Sequence, residues 1–449
     1  MNALNNEDKL KRRIGFLGLL AMCVGLNIGG ALFALTGIAA DLTGPSLPLA
    51  MLISSIPAVL ALLPYSVLTS AMPVTSATYR YMQMVSPRIA LVTMLTLAIC
   101  IVIGAQPLFA LGVGKYLAKL APVDPILSGV LVLALFYVIN LLGVQQTARI
   151  QLVLFLLLMS ALALYVIMGF AEVKAANFSI LFPKGVGGMI AASGLLYTFC
   201  AGGFFVVDLG GEIIKANKAL PKALLMGMII VIVFYLLILF ITVGVVHWGE
   251  LKDQSLIEVA ENFMGPRMLA YFIVCGALVA CATTINAIYS IVSRGLMIVS
   301  AEGILPSWLG RVNSRFGTPH WALTLPFIIS VISLITIPSL MFFGSMLNLG
   351  LILAITVVAV SGLVFSDRFP ELYAKSSINV SAKILKAVCW LVILFNSLIF
   401  IFFIFAVGKA SLVFFGIIAG VFLYSLVIKE RLRTNQPVSV VQDNQAWRI

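Results

Sequence analysis

Charged residues are scarce in this chain of 449 residues. They make up 10% of it, whereas they are roughly a quarter of an average soluble domain. There are two histidines, His247 and His320, and neither has a nucleophile or a metal-ligating partner nearby in the sequence. No glycine-rich phosphate loop and no catalytic-triad spacing occurs. The sequence therefore gives no support to an enzyme, and no cofactor is expected beyond a coupling ion.

Cysteines are also few, and their positions exclude the usual cysteine chemistry. None of the six has the spacing of a metal site, and all lie inside apolar runs, where disulfide frameworks are uncommon. We expect most of them to act as small apolar side chains. Cys23 and Cys200 differ in lying within a few residues of paired glycines.

Long apolar runs are what the chain has instead. Apolar residues make up 62% of it, and runs of about 20 residues, the length of a membrane-spanning helix, recur from end to end. The first run is too long for a signal-peptide core and lacks a small-residue cleavage site, so we expect it to remain as a span. The pattern predicts about twelve spans, near residues 14–40, 46–70, 89–117, 127–143, 149–170, 188–213, 222–247, 268–300, 321–338, 340–365, 384–407 and 410–428.

The net charge of +12 would suggest nucleic-acid binding in a soluble protein, but here the positive-inside rule accounts for it. With the N-terminus inside, most Lys and Arg residues fall in cytoplasmic segments. We therefore predict an integral protein of the plasma (inner) membrane, with cytoplasmic termini at residues 1–13 and 429–449 and a disordered tail. The protein is expected to contact the lipid bilayer and a small-molecule substrate. No nucleic acid is expected to bind, and no obligate protein partner is indicated.

Glycine pairs interrupt two of the apolar runs, Gly29-Gly30 in span 1 and Gly202-Gly203 in span 6. A helix in lipid satisfies its own backbone polar groups, so an unwound stretch survives only where ligand, protein or water supplies the missing hydrogen bonds. Matching breaks in two halves of a chain mark the binding site of a secondary transporter. Their offset predicts two five-span repeats in inverted topology, residues 14–170 and 188–365, followed by spans 11 and 12 at residues 384–428.

Each break has the chemistry to bind one end of an amino acid. At the first, the amides of residues 29–31 open the following half-helix, whose positive end suits a carboxylate. The alternative is close helix packing through small residues. At the second, carbonyl groups freed near Gly202 can accept from an ammonium group. Phe199 or Phe204 either closes over the ligand or packs in the core.

These segments resemble the amino acid–polyamine–organocation (APC) family of transporters. Ile28 to Phe33 looks like that family's Ile-Gly-Ser-Gly-Ile-Phe segment, and residues 199–223 are similar to its sixth span. Further matches lie at residues 143–151 and 286–306. The resemblance implies an all-α polytopic membrane protein of the leucine-transporter type, with about twelve helices and with spans 1 and 6 unwound at the midplane. Ala31 departs from the family, which has a second glycine there.

The resemblance also assigns binding roles. Amides of residues 29–31 would bind the carboxylate, carbonyl groups near residues 23–26 and 199–202 would bind the amine, and Phe199 would occlude the ligand. The candidate substrate-binding residues are Cys23, Leu26, Ile28, Gly29, Gly30, Ala31, Phe199, Cys200, Ala201, Gly202, Gly203 and Phe204.

A missing lysine points to the coupling ion. Many proton-coupled or exchanging relatives carry a lysine nine residues after the arginine that Arg149 matches, and here that position is Leu158. Hard oxygen donors around the vacated space would suit Na⁺. The alternative is that the two threonines among them bond back to their own helix. The predicted donors are three carbonyl groups and two hydroxyls, from Gly25, Ile28, Ala280, Thr283 and Thr284.

Two acidic residues follow the second break, and an ionisable group within a span is by default functional. Asp208 is a candidate for carrying a proton, for pairing with a cationic substrate, or for an inner-gate ion pair. For Glu212 we favour the ion pair. The candidate partners are Arg80, Arg149 and Lys215.

The sequence thus predicts a secondary active transporter that works by alternating access. It would couple Na⁺ or H⁺ to symport of a small or medium neutral amino acid, because no acidic residue lies within the breaks. One alternative is a cationic amino acid or polyamine exchanger that uses Asp208. From another class, a channel would need a continuous polar stripe, and a transporter-derived sensor usually carries a soluble domain. The sequence shows neither.

Overall fold

A computed structural model describes residues 12–251 and 254–428 of the chain. Within these ranges the chain is almost entirely helical, and its extended pairings are two isolated bridges, Ile14 with Ile213 and Thr75 with Leu209. Residues 1–11 of the predicted N-terminal segment, and the tail predicted to be disordered at residues 429–449, lie outside the described residues.

Apolar helices form the body of the described chain. Ten are long enough to cross a membrane and two are shorter. The all-α polytopic fold is confirmed, and the predicted spans agree with the observed helices to within a few residues. In chain order the spans are Phe16–Asn27 with Gly30–Thr43, Leu47–Ala71, Pro87–Ala118, Pro125–Leu141, Val144–Phe170, Gly185–Asp208, Ala216–Val245, Pro266–Ala301, His320–Thr336, Leu340–Arg368, Ala382–Ala406 and Lys409–Val427.

The spans are continuous because their apolar side chains favour helix and because a backbone in lipid has no solvent partner. Prolines open three of them, at Pro87, Pro125 and Pro266. In the first turn of a helix the missing N–H has no intrahelical acceptor to lose, so proline costs little there.

Burial separates lipid-facing helices from central ones. Span 4 exposes an apolar stripe at helical spacing, from Leu127 (59% exposed) and Leu131 (62%) to Leu135 and Val138. Span 8 is the opposite, since nearly every residue from Val279 to its end is buried. Span 8 therefore runs through the centre of the bundle, where its polar side chains must find protein partners.

Spans 3 and 8 each contain a π-helical segment, at Ile101–Ala105 and Phe272–Leu278. Pro107 lacks an N–H to donate, which accounts for the first. Span 3 is the third helix of the first predicted repeat, and span 8 is the third helix of the second. A π-helical segment thus lies in the third helix of each predicted repeat, and the repeat stays a prediction.

Candidate functional site

The first span is interrupted just after Asn27. Ile28 leaves the helical region at φ −84° and ψ 78°, Gly29 is extended at φ −106° and ψ −174°, and the helix resumes at Gly30. The amide of Gly29, predicted to bind the carboxylate, instead donates to the carbonyl of Asn27 at 3.0 Å. The amides of Gly30 and Ala31 open the second half-helix, which has no side-chain cap. They are therefore the groups available to an anion.

Both glycines also lie tightly against neighbouring spans. A Cβ at Gly29 would come 2.4 Å from Thr284 Oγ1, and one at Gly30 would come 2.2 Å from Cys281 Sγ. Each would also lie 3.2 Å from the ring of Phe109. The alternative of close helix packing therefore holds at the same residues that interrupt the helix. The two roles do not exclude one another.

Span 6 is interrupted differently from the prediction. It is α-helical to Ala201, continues as a 3₁₀ helix over Gly202–Asp208, and becomes extended only at Ile213. The expected unwinding at the glycine pair is therefore a tighter winding, with the extended backbone further along. Glycine is a poor α-helix former, so the α-helix is weakened here. A buried backbone must still form hydrogen bonds. The 3₁₀ helix departs from α geometry and keeps backbone hydrogen bonds, so it satisfies both requirements.

The glycines of span 6 let the two interrupted spans touch. A Cβ at Gly202 would lie 2.2 Å from the carbonyl oxygen of Leu26. The carbonyl of Gly203 accepts a hydrogen bond from the thiol of Cys23 at 3.7 Å. Backbone of one interruption thus lies directly on backbone of the other.

Asn27 joins the two interruptions, and sequence reasoning did not identify it. Its Oδ1 accepts from the amide of Gly203 at 2.8 Å. Its backbone carbonyl accepts from the hydroxyl of Tyr235, in span 7, at 2.6 Å. A carboxamide within an apolar run, immediately before a helix break, is the signal that would have revealed it, because such a group needs a buried partner.

A small cavity of about 40 Å³ lies between the interruptions. Its polar side chains are those of Asn27, Thr198 and Thr284, and no lining residue is charged. Leu26, Ala31 and Gly202 are the predicted substrate-binding residues that line it. The aliphatic part of the wall consists of Ile101, Ile288, Ile291, Val292, Leu347 and Leu351.

The aromatic lining differs from the prediction. Phe199 packs at a tilt against a tyrosine of span 7 and Phe204 stacks on a tyrosine of span 2, with ring centroids 4.9 Å and 4.6 Å apart, and neither lines the cavity. Phe109 of span 3 and Phe205 of span 6 line it instead. A 3₁₀ helix has three residues per turn, so it presents a different face from the α-helix assumed for span 6. The remaining candidates are buried around the interruptions without lining the cavity: Cys23, Ile28, Gly29, Gly30, Cys200, Ala201 and Gly203.

Four of the five predicted cation donors converge between spans 1 and 8. Thr284 Oγ1 lies 2.9 Å from the Gly25 carbonyl oxygen and 3.1 Å from that of Ala280. Thr283 Oγ1 lies 2.8 Å from the Ala280 oxygen and 3.5 Å from the Gly25 oxygen. The carbonyl of Ile28 is not among the atoms bonded in this group. Both threonines thus bond back to their own helix, as the alternative expected, and both also reach span 1.

Buried amides lie beside these oxygens. Gln151 of span 5 has its Nε2 2.3 Å from where a Cβ of Gly25 would stand. Its Oε1 accepts from Asn286 at 2.9 Å, whose Oδ1 accepts from Asn140 at 3.1 Å. Leu158, the position of the missing lysine, is fully buried in the same span as Gln151. The polar contact from span 5 to span 1 is therefore a neutral amide.

Glu212 forms a buried ion pair with Arg294. Nε of the arginine lies 2.8 Å from Oε1, Nη2 lies 3.4 Å from Oε2, and both side chains are 1% exposed. The prediction expected an ion pair but named Arg80, Arg149 and Lys215 as candidate partners. Arg294 was missed because the fold brings the end of span 8 against the end of span 6, which the sequence does not show.

Asp208 is buried and has no ion pair within the described chain. Its Oδ1 accepts from the amide of Thr78 at 2.6 Å, and its backbone carbonyl accepts from the amide of Ser76 at 2.8 Å. It does not line the cavity. The pairing with Arg80, Arg149 or Lys215 considered for Asp208 is therefore not formed.

Hydrogen bonds close the end of the bundle that holds the start of span 1. The carbonyl of Glu212 accepts from the amides of Arg13 and Ile14 at 2.9 and 3.0 Å. Arg80, which follows the segment bonded to Asp208, forms an ion pair with Glu302. We call the contact between residues 13–14, 75–78 and 208–214 the closing junction.

Interrupted spans that meet around an uncharged cavity inside a helical membrane bundle define a membrane transport protein. A profile of the amino acid permease family matches residues 14–427, and the chain belongs to that family. The resemblance to APC transporters is confirmed.

The chain is similar to several transporters along most of its length. It is 24% identical to the branched-chain amino acid permease BcaP of Bacillus subtilis over 82% of this chain and 84% of that protein. It is 24% identical to a methylthioribose transporter of the same organism, over 83% and 85%. It is also 24% identical to the vacuolar cationic amino acid transporter 8 of Arabidopsis thaliana, over 84% and 69%. These relatives are transporters, not enzymes.

Proposed function

We propose that the chain is a secondary active symporter of a small or medium neutral amino acid that works by alternating access. The uncharged cavity between the two interruptions is the main support. An apolar side chain would pack on its aliphatic wall, and burial of that surface supplies affinity. The uncapped amides at Gly30 and Ala31 would bind the carboxylate.

A cationic substrate fits this cavity less well. Asp208, the acid that would pair with it, lies outside the lining, and its carboxylate already accepts from the amide of Thr78. Burying a cationic side chain without a counter-charge is costly. A branched-chain amino acid, as in the name of one relative, fits the wall better than the cationic amino acids named for another.

Counterflow in proteoliposomes tests the substrate. Proteoliposomes containing the purified protein would be loaded in turn with unlabelled leucine, valine, alanine, lysine or methylthioribose, and entry of the same solute in labelled form would be measured. Faster entry of neutral amino acids is expected. Counterflow of lysine alone would favour the exchanger, and flux without counterflow would indicate a channel. A chain that moves none of these solutes would contradict the proposal.

The coupling ion proposed here is Na⁺, with H⁺ at Asp208 as the alternative. The carbonyl groups of Gly25 and Ala280 and the hydroxyls of Thr283 and Thr284 are hard oxygens between spans 1 and 8, and an alkali cation suits such donors. Gly25 also lies beside the cavity-lining residue Leu26, so ion and substrate would order the same stretch of span 1. Unchanged uptake when choline replaces sodium would contradict this coupling.

We further propose that the closing junction faces the cytoplasm of a plasma (inner) membrane. The positive-inside rule supports this orientation. It is tested by labelling a cysteine introduced at Arg13 with a membrane-impermeant maleimide. Labelling in inside-out vesicles and not in right-side-out vesicles is expected, and the reverse pattern would overturn it.

A further inference from the structure

The side-chain amide of Asn27 lies where it can do more than hold the two interruptions together. Asn27 is 3% exposed, yet it lines the cavity. One lone pair of its Oδ1 is engaged, because Oδ1 accepts from the amide of Gly203. Its Nδ2 donates no hydrogen bond to any residue of the described chain. It is also not one of the described side-chain atoms that are fully buried without a partner. Asn27 therefore brings to the cavity lining an N–H donor that has no acceptor within the described chain.

A hydrogen-bond donor without a partner in an apolar cavity favours a ligand group that can accept a hydrogen bond. Leaving such a group unpaired costs about 1–3 kcal/mol, so a bound ligand gains by bringing an acceptor to it. The ammonium end of an amino acid has only donors, and an aliphatic side chain has neither. The carboxylate is the one group of a neutral amino acid that matches.

The position of Asn27 agrees with this assignment. Asn27 and Ala31 line the same cavity from the two sides of the interruption in span 1. Ala31 lies at the uncapped start of the second half-helix, and Asn27 ends the first. A carboxylate has two oxygens and accepts several hydrogen bonds at once, so one donor does not displace the other.

We propose that Asn27 is a substrate-binding residue that donates a hydrogen bond from Nδ2 to the carboxylate of the transported amino acid. The inference rests on the proposed function, since it presupposes an amino acid in this cavity. Because Oδ1 is bonded to span 6 at the same time, ligand binding and the contact between the interrupted spans share one side chain. A bound carboxylate would orient the amide and so favour the contact with Gly203.

The test compares two ligands on three variants of the full chain. Binding of L-leucine and of L-leucinamide, in which a neutral amide replaces the carboxylate, would be measured at pH 8 on wild type, Asn27→Ala, Asn27→Asp and Tyr235→Phe. Hydrogen bonds to a charged group contribute about 1.5–3 kcal/mol, so Asn27→Ala should weaken leucine binding about tenfold to hundredfold, and leucinamide binding by less. Asn27→Asp keeps the acceptor for Gly203 but repels a carboxylate, so its loss for leucine should exceed its loss for leucinamide.

The matched control separates a contact between Asn27 and the ligand from a purely structural role of Asn27 in joining spans 1 and 6. Tyr235→Phe removes the hydrogen bond from the tyrosine hydroxyl to the Asn27 carbonyl and leaves Nδ2 unchanged, so its preference for leucine over leucinamide should equal that of wild type. Equal losses for both ligands in Asn27→Ala and Asn27→Asp, or no loss in either variant, would overturn the proposal. If wild type bound neither ligand nor any other amino acid, the proposed function itself would fail, and that result differs from a failure confined to the variants.

Discussion

Removing the carboxylate of Glu212 should open the closing junction. In Glu212→Gln, Arg294 keeps its charge but loses its counter-ion, and the arginine is 1% exposed, so water cannot replace it. Loss of one partner from a buried ion pair costs about 3–5 kcal/mol. Since about 1.4 kcal/mol is a tenfold change, a pair that exists only in the closed form would lower the ratio of closed to open protein at least about a hundredfold.

A cysteine at the junction would report this change. Ile213→Cys places a thiol at a residue that is fully buried in the closed form. Its rate of reaction with an impermeant maleimide, in a background without the six native cysteines, should rise steeply when Glu212→Gln is added. Adding Arg294→Gln should slow the reaction again, because replacing both partners removes the uncompensated charge.

The chain offers a matched control on an exposed pair. Lys119 and Glu258 lie 2.5 Å apart with side chains 35% and 34% exposed, and exposed pairs contribute about 0–1 kcal/mol. Glu258→Gln should therefore leave the labelling rate at Ile213→Cys unchanged. Equal rates for Glu212→Gln and Glu258→Gln would refute the reasoning, since burial would then not have decided the strength of the pair.

Three further predictions concern spans 6 and 8. Thr284→Val should raise the sodium concentration for half-maximal uptake about tenfold, because a ligand of the proposed sodium site is lost. Thr336→Val removes an exposed hydroxyl that is bonded to its own helix, and it should leave that concentration unchanged. Equal values for the two variants would contradict the sodium site. Gly202→Ala should lower stability by about 1–3 kcal/mol through overpacking because its Cβ would meet backbone at 2.2 Å, while Gly194→Ala, with the nearest atom at 4.0 Å, should be tolerated in a thermal melt. Asp208→Asn should flatten the pH profile of uptake if the carboxylate carries the proton, and an unaltered profile would exclude that role.

The membrane architecture was predictable because a single local property decides it. A run such as residues 223–241 contains no charged residue and is almost wholly apolar, and a backbone in lipid has helix as its available state. The break at Ile28 and Gly29 was visible for a related reason, since paired glycines weaken a helix locally. Both inferences need no knowledge of which spans are neighbours.

Partners across the bundle could not be read in this way. Arg294 lies far from Glu212 in the sequence, and only the packing of span 8 against span 6 brings them together. Asn27 was overlooked because the two groups that donate to it from other spans lie in spans 6 and 7. The aromatic lining was misassigned because the face that Phe205 presents depends on the winding of span 6. In each case the missing information was geometry between segments.

The 3₁₀ winding of span 6 has a mechanical consequence. Gly202–Asp208 comprises seven residues, and a residue rises about 2.0 Å in a 3₁₀ helix but about 1.5 Å in an α-helix. Rewinding this segment as α-helix would shorten it by about 3.5 Å and turn whatever follows by roughly a third of a revolution. Conversion of this segment between 3₁₀ helix and α-helix would therefore change the length of span 6. Its far end would move toward the cavity or away from it, without a hinge in the surrounding helices.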